Sequence, residues 1–367
     1  MLFSQRDVKW RLFCFYFAAR EKRITQTILQ MKRIVSLTVA LVIFYSQIFA
    51  QGQQQEQNLQ ETARSFMRSG DFDNAILVLN RALQADTKNL DLQKDLVLAY
   101  YYKRDYVRAK AGVEALLANE NADVVSYQLA GNVYKALEEA KEAEKMYKKA
   151  LKKYPKSGAL YSEYGELLWA QKEFSAIDQW KKGIETDPSY AGNYYNAALY
   201  YYHTKDKVWA IVYGEIFVNM ESLTERGSAM KKLLLDSYKE KLFADVDMMK
   251  DQDSKNNFTK AFLQAMSKQA SLTNKGLNTE VLTMIRTRFI LDWFANYASK
   301  FPFKLFDYQQ QLIREGMFDA YNQWLFGTVE NLPAYENWTK THNEEYTSFS
   351  TFQKGRVFKM PAGQFYQ

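Results

Sequence analysis

Few side chains in this chain of 367 residues are of a kind that does chemistry. There is one cysteine, Cys14, and there are two histidines, His203 and His342, too few to build a Cys/His metal cage or a disulfide framework. His203 follows three tyrosines and precedes a polar turn, and His342 stands in the polar stretch Thr-His-Asn-Glu-Glu; both read as solvated. Asp245, Asp247, Asp251 and Asp253 have the alternating spacing of a calcium loop. Met248, Met249 and Lys250 interrupt them, however, and the glycine and closing glutamate of such a loop are missing. A solvated charge run is the better reading. No Gly-rich phosphate loop, G-x-S-x-G elbow or H-E-x-x-H helix occurs. Asn257-Phe-Thr259 and Asn337-Trp-Thr339 are glycosylation sequons only in a secretory eukaryotic setting. The expectation is a protein with no catalytic group, no cofactor and no metal, leaving binding as its work. An enzyme built on carboxylates of the C-terminal region is the reading with nothing to support it.

Composition narrows the scaffold that must position any binding residues. Hydrophobic residues make up 47% and charged residues 25% of the chain, the proportions of a folded protein. Five prolines and fifteen glycines are few for an all-β fold with many tight turns. The net charge of +7 is concentrated at the N-terminus, where residues 1–50 hold eight Lys/Arg and two acids. The remainder carries 41 basic and 40 acidic residues, a net of +1. A near-neutral body lacks the field that accompanies phosphate binding, so nucleic acid is not expected.

An internal period organises the middle of the chain. Small residues recur at Ala75, Ala109, Ala143, Ala176 and Ala210, with spacings of 34, 34, 33 and 34. A mostly aromatic row falls at Phe66, Tyr100, Tyr134, Leu168 and Tyr201. Two further rows keep the same register: Ala63, Val97, Gly131, Gly165, Ala198 and Ala82, Leu116, Ala150, Gly183, Phe217. The short spacing in the fourth unit places a missing residue between Leu168 and Ala176, in a turn. Within a unit, Leu129, Val133 and Leu137, then Ala143, Tyr147, Ala150 and Leu151, trace the stripes of two half-buried helices. The small residues Gly131, Ala143 and Ala150 let the helices approach, and Tyr134 and Tyr147 fill the space left. Pro155 and Pro188 close the third and fourth units, because proline cannot continue a helix.

In these rows the chain resembles the tetratricopeptide repeat (TPR) family, over five units: 56–89, 90–123, 124–157, 158–190 and 191–224. Val97, Leu116 and Gly214 depart from its pattern. The resemblance implies an all-α solenoid of about five helix-turn-helix repeats, whose first helices line a concave face that binds peptides or proteins. Mapped so, Arg64, Arg68, Lys94, Tyr101, Tyr102, Gln128, Asn132, Lys135, Trp169, Tyr195 and Tyr202 become groove candidates, with Glu166 and His203 beside them. Amides and cations there suit a peptide backbone or its carboxylates, and aromatic rings supply contact area. Any one of the tyrosines has packing between helices as its competing role. Some members of the family clamp a C-terminal carboxylate with Lys and Asn; here Leu98 and Gln128 stand at companion positions, and the clamp is not reproduced. An aromatic groove also suits sugar rings, so a glycan- or small-molecule-binding module is the alternative to a protein or peptide scaffold.

Residues 225–250 read as a capping helix followed by a linker, and 254–345 as a C-terminal helical region. In the latter, Val281, Ile285, Phe289, Trp293 and Tyr297 form one stripe. Segments 279–299 and 304–326 are expected to pair as a helical hairpin, their aromatics serving the core or an oligomer surface. Residues 346–367 read as a flexible or peripherally docked tail. At the other end, Lys32, Arg33 and the apolar run Ile34–Tyr45, then Ala50, have the form of a signal peptide over 31–50. Residues 1–30 then read as an upstream over-extension of the frame, with Met31 as the start. A cleaved chain is exported, periplasmic or secreted, and has no cysteine; an uncleaved one is membrane-anchored. The expected partner is an unidentified envelope protein or peptide.

Overall fold

The first helices of the first four repeats end in the same backbone device, and that device sets the hairpin. In this computed structural model, which describes residues 58–367 except 246, 253 and 254, helix α1 (58–68) is followed by Gly70 in the left-handed region at φ 80°. The Gly70 N–H donates to the Met67 carbonyl at 3.1 Å and the Asp71 N–H to the Phe66 carbonyl at 2.9 Å, the paired bonds of a Schellman cap. The same pair closes α3 (Leu90–Tyr102) at Arg104, α5 (Val124–Ala136) at Glu138 and α7 (Gly158–Ala170) at Lys172, with φ of 63°, 59° and 63°. Asp71 then accepts from the Asn74 N–H at 3.1 Å as N-cap of α2 (Phe72–Ala85). Asp105 likewise accepts from the Arg108 N–H at 3.2 Å at the start of α4 (Tyr106–Ala118). One residue thus ends one helix and starts the next, which is why the turns are so short.

The second helices α6 (Ala140–Lys153), α8 (Ala176–Thr186) and α10 (Trp209–Met220) follow α5, α7 and α9 (Ala191–Tyr202). In the fourth repeat the cap at Lys172 and Glu173 keeps its place, so the missing residue lies after Glu173. The entry to α8 absorbs it by winding as 3₁₀, through bonds from Ala176 N to Glu173 O and Asp178 N to Ser175 O. Close approach is visible at Gly131, where an added Cβ would sit 1.9 Å from the Tyr147 hydroxyl. Tyr147 fills that space, as the small–aromatic pattern requires.

The described chain is all-α, consecutive helix-turn-helix pairs followed by further helices, and it divides into two compact units at Gly112/Val113, inside α4. The second unit contains the third, fourth and fifth repeats together with the C-terminal helices. No described helix is long and apolar enough to cross a membrane. The signal-peptide segment, the two candidate starts, Cys14 and Asp253 lie outside the described residues.

In the second unit, α11 (Glu225–Asp236) packs on α10 and runs into a π-helical turn at Ser237–Leu242. Then come α12 (Asn257–Ser267), a 3₁₀ turn (Ala270–Lys275), α13 (Thr279–Asn296) and α14 (Lys304–Arg314). Next are α15 (Phe318–Asn322), a second π turn (Gln323–Gly327), α16 (Thr328–Glu330), α17 (Leu332–Thr341) and α18 (Asn343–Lys354). The expected helix over 304–326 is broken by another Schellman cap: Gly316 has φ 67°, and the Met317 N–H donates to the Leu312 carbonyl at 2.9 Å. The core here is aromatic, with Phe258 touching Trp209, Trp293, Phe303 and Tyr366 at ring distances of 5.0–5.4 Å.

The linker, read as a solvated charge run, and the C-terminal segment, read as flexible or peripherally docked, are both docked. In the linker, Asp245 is ion-paired with Lys207 at 2.8 Å, Gln252 bonds the Lys207 N–H and the Lys205 carbonyl, and Met248 is buried. At the C-terminus, Phe349, Phe358 and Met360 are buried, the Tyr366 hydroxyl donates to the Pro302 carbonyl at 2.7 Å, and Tyr213 donates to Gln367 at 3.0 Å. The aromatic spacing of 346–367 was the signal; burial of those rings outweighs the entropy of a free tail.

What ties the last repeat to these helices is a buried polar cluster. Glu215 on α10 and Arg286 on α13 are 2% and 1% exposed and form an ion pair. Gln309 and the Tyr321 hydroxyl donate to Glu215 at 2.6 and 2.7 Å, and Arg286 donates to Asn322. Burial opposes the charge on Arg286, but Glu215 together with Tyr238 and Tyr321 outweighs it and holds the guanidinium protonated.

Candidate functional site

In the first unit, the first helices α1 and α3 frame an open cleft of about 550 Å³. Its lining includes three of the predicted residues, Arg64, Arg68 and Tyr102, together with Met67, Phe72 and Leu98. Tyr102 is 53% exposed and stacks on Phe72 with ring centroids 5.8 Å apart. Asp95 accepts from Gln60 at 2.8 Å and from Arg64 Nε at 2.9 Å. That contact orients the guanidinium and leaves its two terminal nitrogens without a hydrogen bond among the described residues, the fork that grips a carboxylate or carbonyl. Arg68 pairs with Glu61 at 2.7 Å and holds that carboxyl below its usual range. An apolar floor beside a pre-oriented cation can take an apolar group and a carboxylate or carbonyl together, and the volume falls in the range of known ligand sites.

Lys94 and Tyr101 are not part of this cleft. Lys94 is bound to Asp91 one turn back at 2.8 Å, and Tyr101 packs between Tyr102 and Tyr106 at 5.8 and 5.7 Å. Helix phase explains it: adjacent residues point about 100° apart, so only one of the three tyrosines 100–102 can face the cleft squarely.

In the second unit the predicted residues are divided between committed and open groups. Gln128 donates to Glu163 at 2.7 Å, and the buried Tyr147 hydroxyl donates to the same carboxylate at 2.9 Å. Burial pushes the Glu163 carboxyl up despite these donors, and it pushes the Tyr147 phenol up further. Tyr195 lies against Phe217 at 4.9 Å with the Arg226 guanidinium 5.0 Å from its ring, and Tyr202 carries the Lys241 ammonium at 5.1 Å. Trp169 is 40% exposed, edge-on to Tyr200 at 5.6 Å. Asn132 and Lys135 are half-buried and make no hydrogen bond or ion pair among the described residues. Glu166 accepts from Asn196 at 3.0 Å, and His203 is exposed against Tyr202.

No protein-family model matches the chain, and no curated protein does. Among solved structures it is similar to a thermophilic TPR protein of Thermus thermophilus, at 16% identity and a TM-score of 0.41, over 49% of this chain and 99% of that one. It is similar to a tetratricopeptide repeat protein of Parabacteroides merdae at 14% identity and a TM-score of 0.40, over 78% and 98%. A third is YrrB, described as a TPR protein with an unusual peptide-binding site, at 20% identity and 0.35, over 47% and 90%. Likeness this distant speaks to no ligand of this chain.

The residues that sequence reasoning missed are the ones that hold the candidates in place: Asp95, Glu163 and Arg226. A signal existed for the first two. Gln60 with Asp95 and Gln128 with Glu163 are each 35 residues apart, one repeat plus one residue, so an amide on one first helix meets a carboxylate on the next. Met67 is an ordinary apolar residue in the sequence and Leu98 enters only as a departure from the carboxylate clamp, since nothing in their type says that they floor a cleft.

Proposed function

We propose that this chain is a non-enzymatic interaction scaffold that holds a segment of a protein partner on the first-helix face of its N-terminal repeats. The observation carrying the reading is Arg64. Its Nε is anchored by Asp95 while its remaining donors face a cleft floored by Met67, Leu98 and Phe72 and flanked by Tyr102. A peptide offering one apolar side chain to that floor and a carboxylate or carbonyl to Arg64 satisfies both parts. Export through the segment 31–50 is part of the same proposal, and mass spectrometry of the native chain tests it by finding an N-terminus at Gln51. A glycan on the same aromatic face is the weaker alternative, because Tyr195 and Tyr202 already carry cations over their rings.

The test is photocrosslinking in the native cell from a photoreactive phenylalanine at Tyr102, with the same group at the exposed Leu77 on α2 as control. A discrete protein adduct from 102, absent from 77 and lost with Arg64→Ala in a chain of unchanged helicity, is the expected result. No adduct, or one indifferent to Arg64→Ala, sinks the reading.

A further inference from the structure

The second unit holds a cleft of about 560 Å³ that plays no part in the repeat-face reading, between the start of α13, the π turn Gln323–Gly327 and α17. Its chemistry differs from that of the peptide cleft. Gln323 is 9% exposed, lines the cleft, and its carboxamide makes no hydrogen bond among the described residues. The carboxamide atoms themselves open onto the cleft, so their donors and acceptor are available to whatever fills it. The π turn aims the carboxamide: an added Cβ at Gly327 would lie 2.3 Å from Gln323 Oε1, so only a residue without a side chain lets the amide lie there.

Around Gln323 stand groups of one kind. Asn278 and Asn331 each spend Oδ1 capping a helix, on the N–H of Val281 at 2.9 Å and of Ala334 at 3.1 Å, and neither amide N–H pair has a partner among the described residues. Glu330 is held by the Thr279 N–H and hydroxyl at 2.7 Å and by Lys239 at 2.6 Å, which keep its carboxyl ionised against the cost of burial. On the far wall Trp338 carries His342 stacked at 4.5 Å with the rings 6° from parallel. The imidazole is fixed there by the Trp338 carbonyl at 3.1 Å from its Nδ1.

Among the described residues no lysine or arginine lines this cleft, while Glu280 and the Lys239-paired Glu330 do. Phosphates, carboxylates and other anions are therefore disfavoured. The amides and the carboxylate demand a ligand with many groups that both donate and accept, and the stacked Trp338–His342 pair gives the cleft an aromatic wall for C–H bonds. We propose that this cleft binds a neutral carbohydrate, its hydroxyls paired with Gln323, Asn278, Asn331 and Glu330 and one sugar face against Trp338.

The experiment is isothermal titration of the full mature chain with cellobiose, maltose and chitobiose, with glucuronic acid and spermidine as charged controls. At least one neutral sugar should bind, glucuronic acid should bind more weakly, and Gln323→Leu and Trp338→Ala should each weaken the sugar by about tenfold or more. Gln323→Leu is the sharper variant, because that carboxamide has no internal partner to lose and the fold is kept. No heat with any neutral sugar at millimolar concentration overturns the proposal. So does binding of spermidine alone, or sugar affinity unchanged in both variants. Loss of the Tyr102 adduct has no bearing on this outcome, since the two sites lie in different units.

Discussion

The Glu215–Arg286 pair allows a prediction whose sign is set by burial. Glu215→Gln keeps an acceptor for Gln309 and Tyr321, which donate at 2.6 and 2.7 Å, but leaves a guanidinium 1% exposed with Asn322 and aromatic faces as its surroundings. An unpaired charge so placed costs about 3–5 kcal/mol. Arg286→Met leaves the carboxylate with its two neutral donors and costs about 3 kcal/mol, at the lower end of the same range. The double variant buries no charge and forfeits chiefly the Asn322 bond and some packing, about 1–2 kcal/mol. The double variant must therefore be more stable than either single one. Urea unfolding followed by tryptophan fluorescence reads it cleanly, because all six tryptophans among the described residues lie beyond Val113, in the unit that contains the pair. Single variants costing under about 1 kcal/mol each, or a double variant less stable than both, would refute the argument that desolvation governs this cluster.

Two further outcomes follow from single residues. Lys231 on α11 is buried, with its ammonium on the Trp324 carbonyl at 2.8 Å and 3.9 Å from the Trp324 ring, yet burial lowers its pKa to about 8. The unfolded chain then binds the extra proton between pH 8 and the ordinary lysine value, so stability rises with pH across that window by about 1.4 kcal/mol per unit at most. Urea midpoints of Lys231→Met lacking this rise relative to the parent confirm it, and identical pH profiles remove it. Gly131→Ala drives a methyl onto the Tyr147 hydroxyl at 1.9 Å and should cost about 1–3 kcal/mol in the same assay; a neutral effect would mean that the close helix approach is not there.

The sequence by itself determined the repeat, because a 34-residue period writes the same turn and the same packing into each unit. The rows of small and aromatic residues placed Gly131 against Tyr147 before any contact was known. They placed the missing residue between Leu168 and Ala176, and the structure narrows it to the stretch after Glu173, since the cap bonds that keep Lys172 in register are backbone bonds with no side-chain signature. Helix phase was legible too, which is why Arg64, Arg68 and Tyr102 fell in one cleft.

Only the tertiary structure decided which of the candidates remain open. Lys94, Gln128, Tyr195 and Tyr202 have the right types on the right helices, but each is taken up by a neighbour that a one-dimensional pattern does not place beside it. The C-terminal region shows the same limit more strongly. Nothing periodic connects Glu215 to Arg286, 71 residues on, or Phe258 to Tyr366, so their meeting depends on how non-repeating helices dock. Repeat contacts are local and recur, so they can be read from spacing. Docking contacts occur once, at arbitrary separation, and are chosen by the burial of whole faces, which only the assembled fold contains.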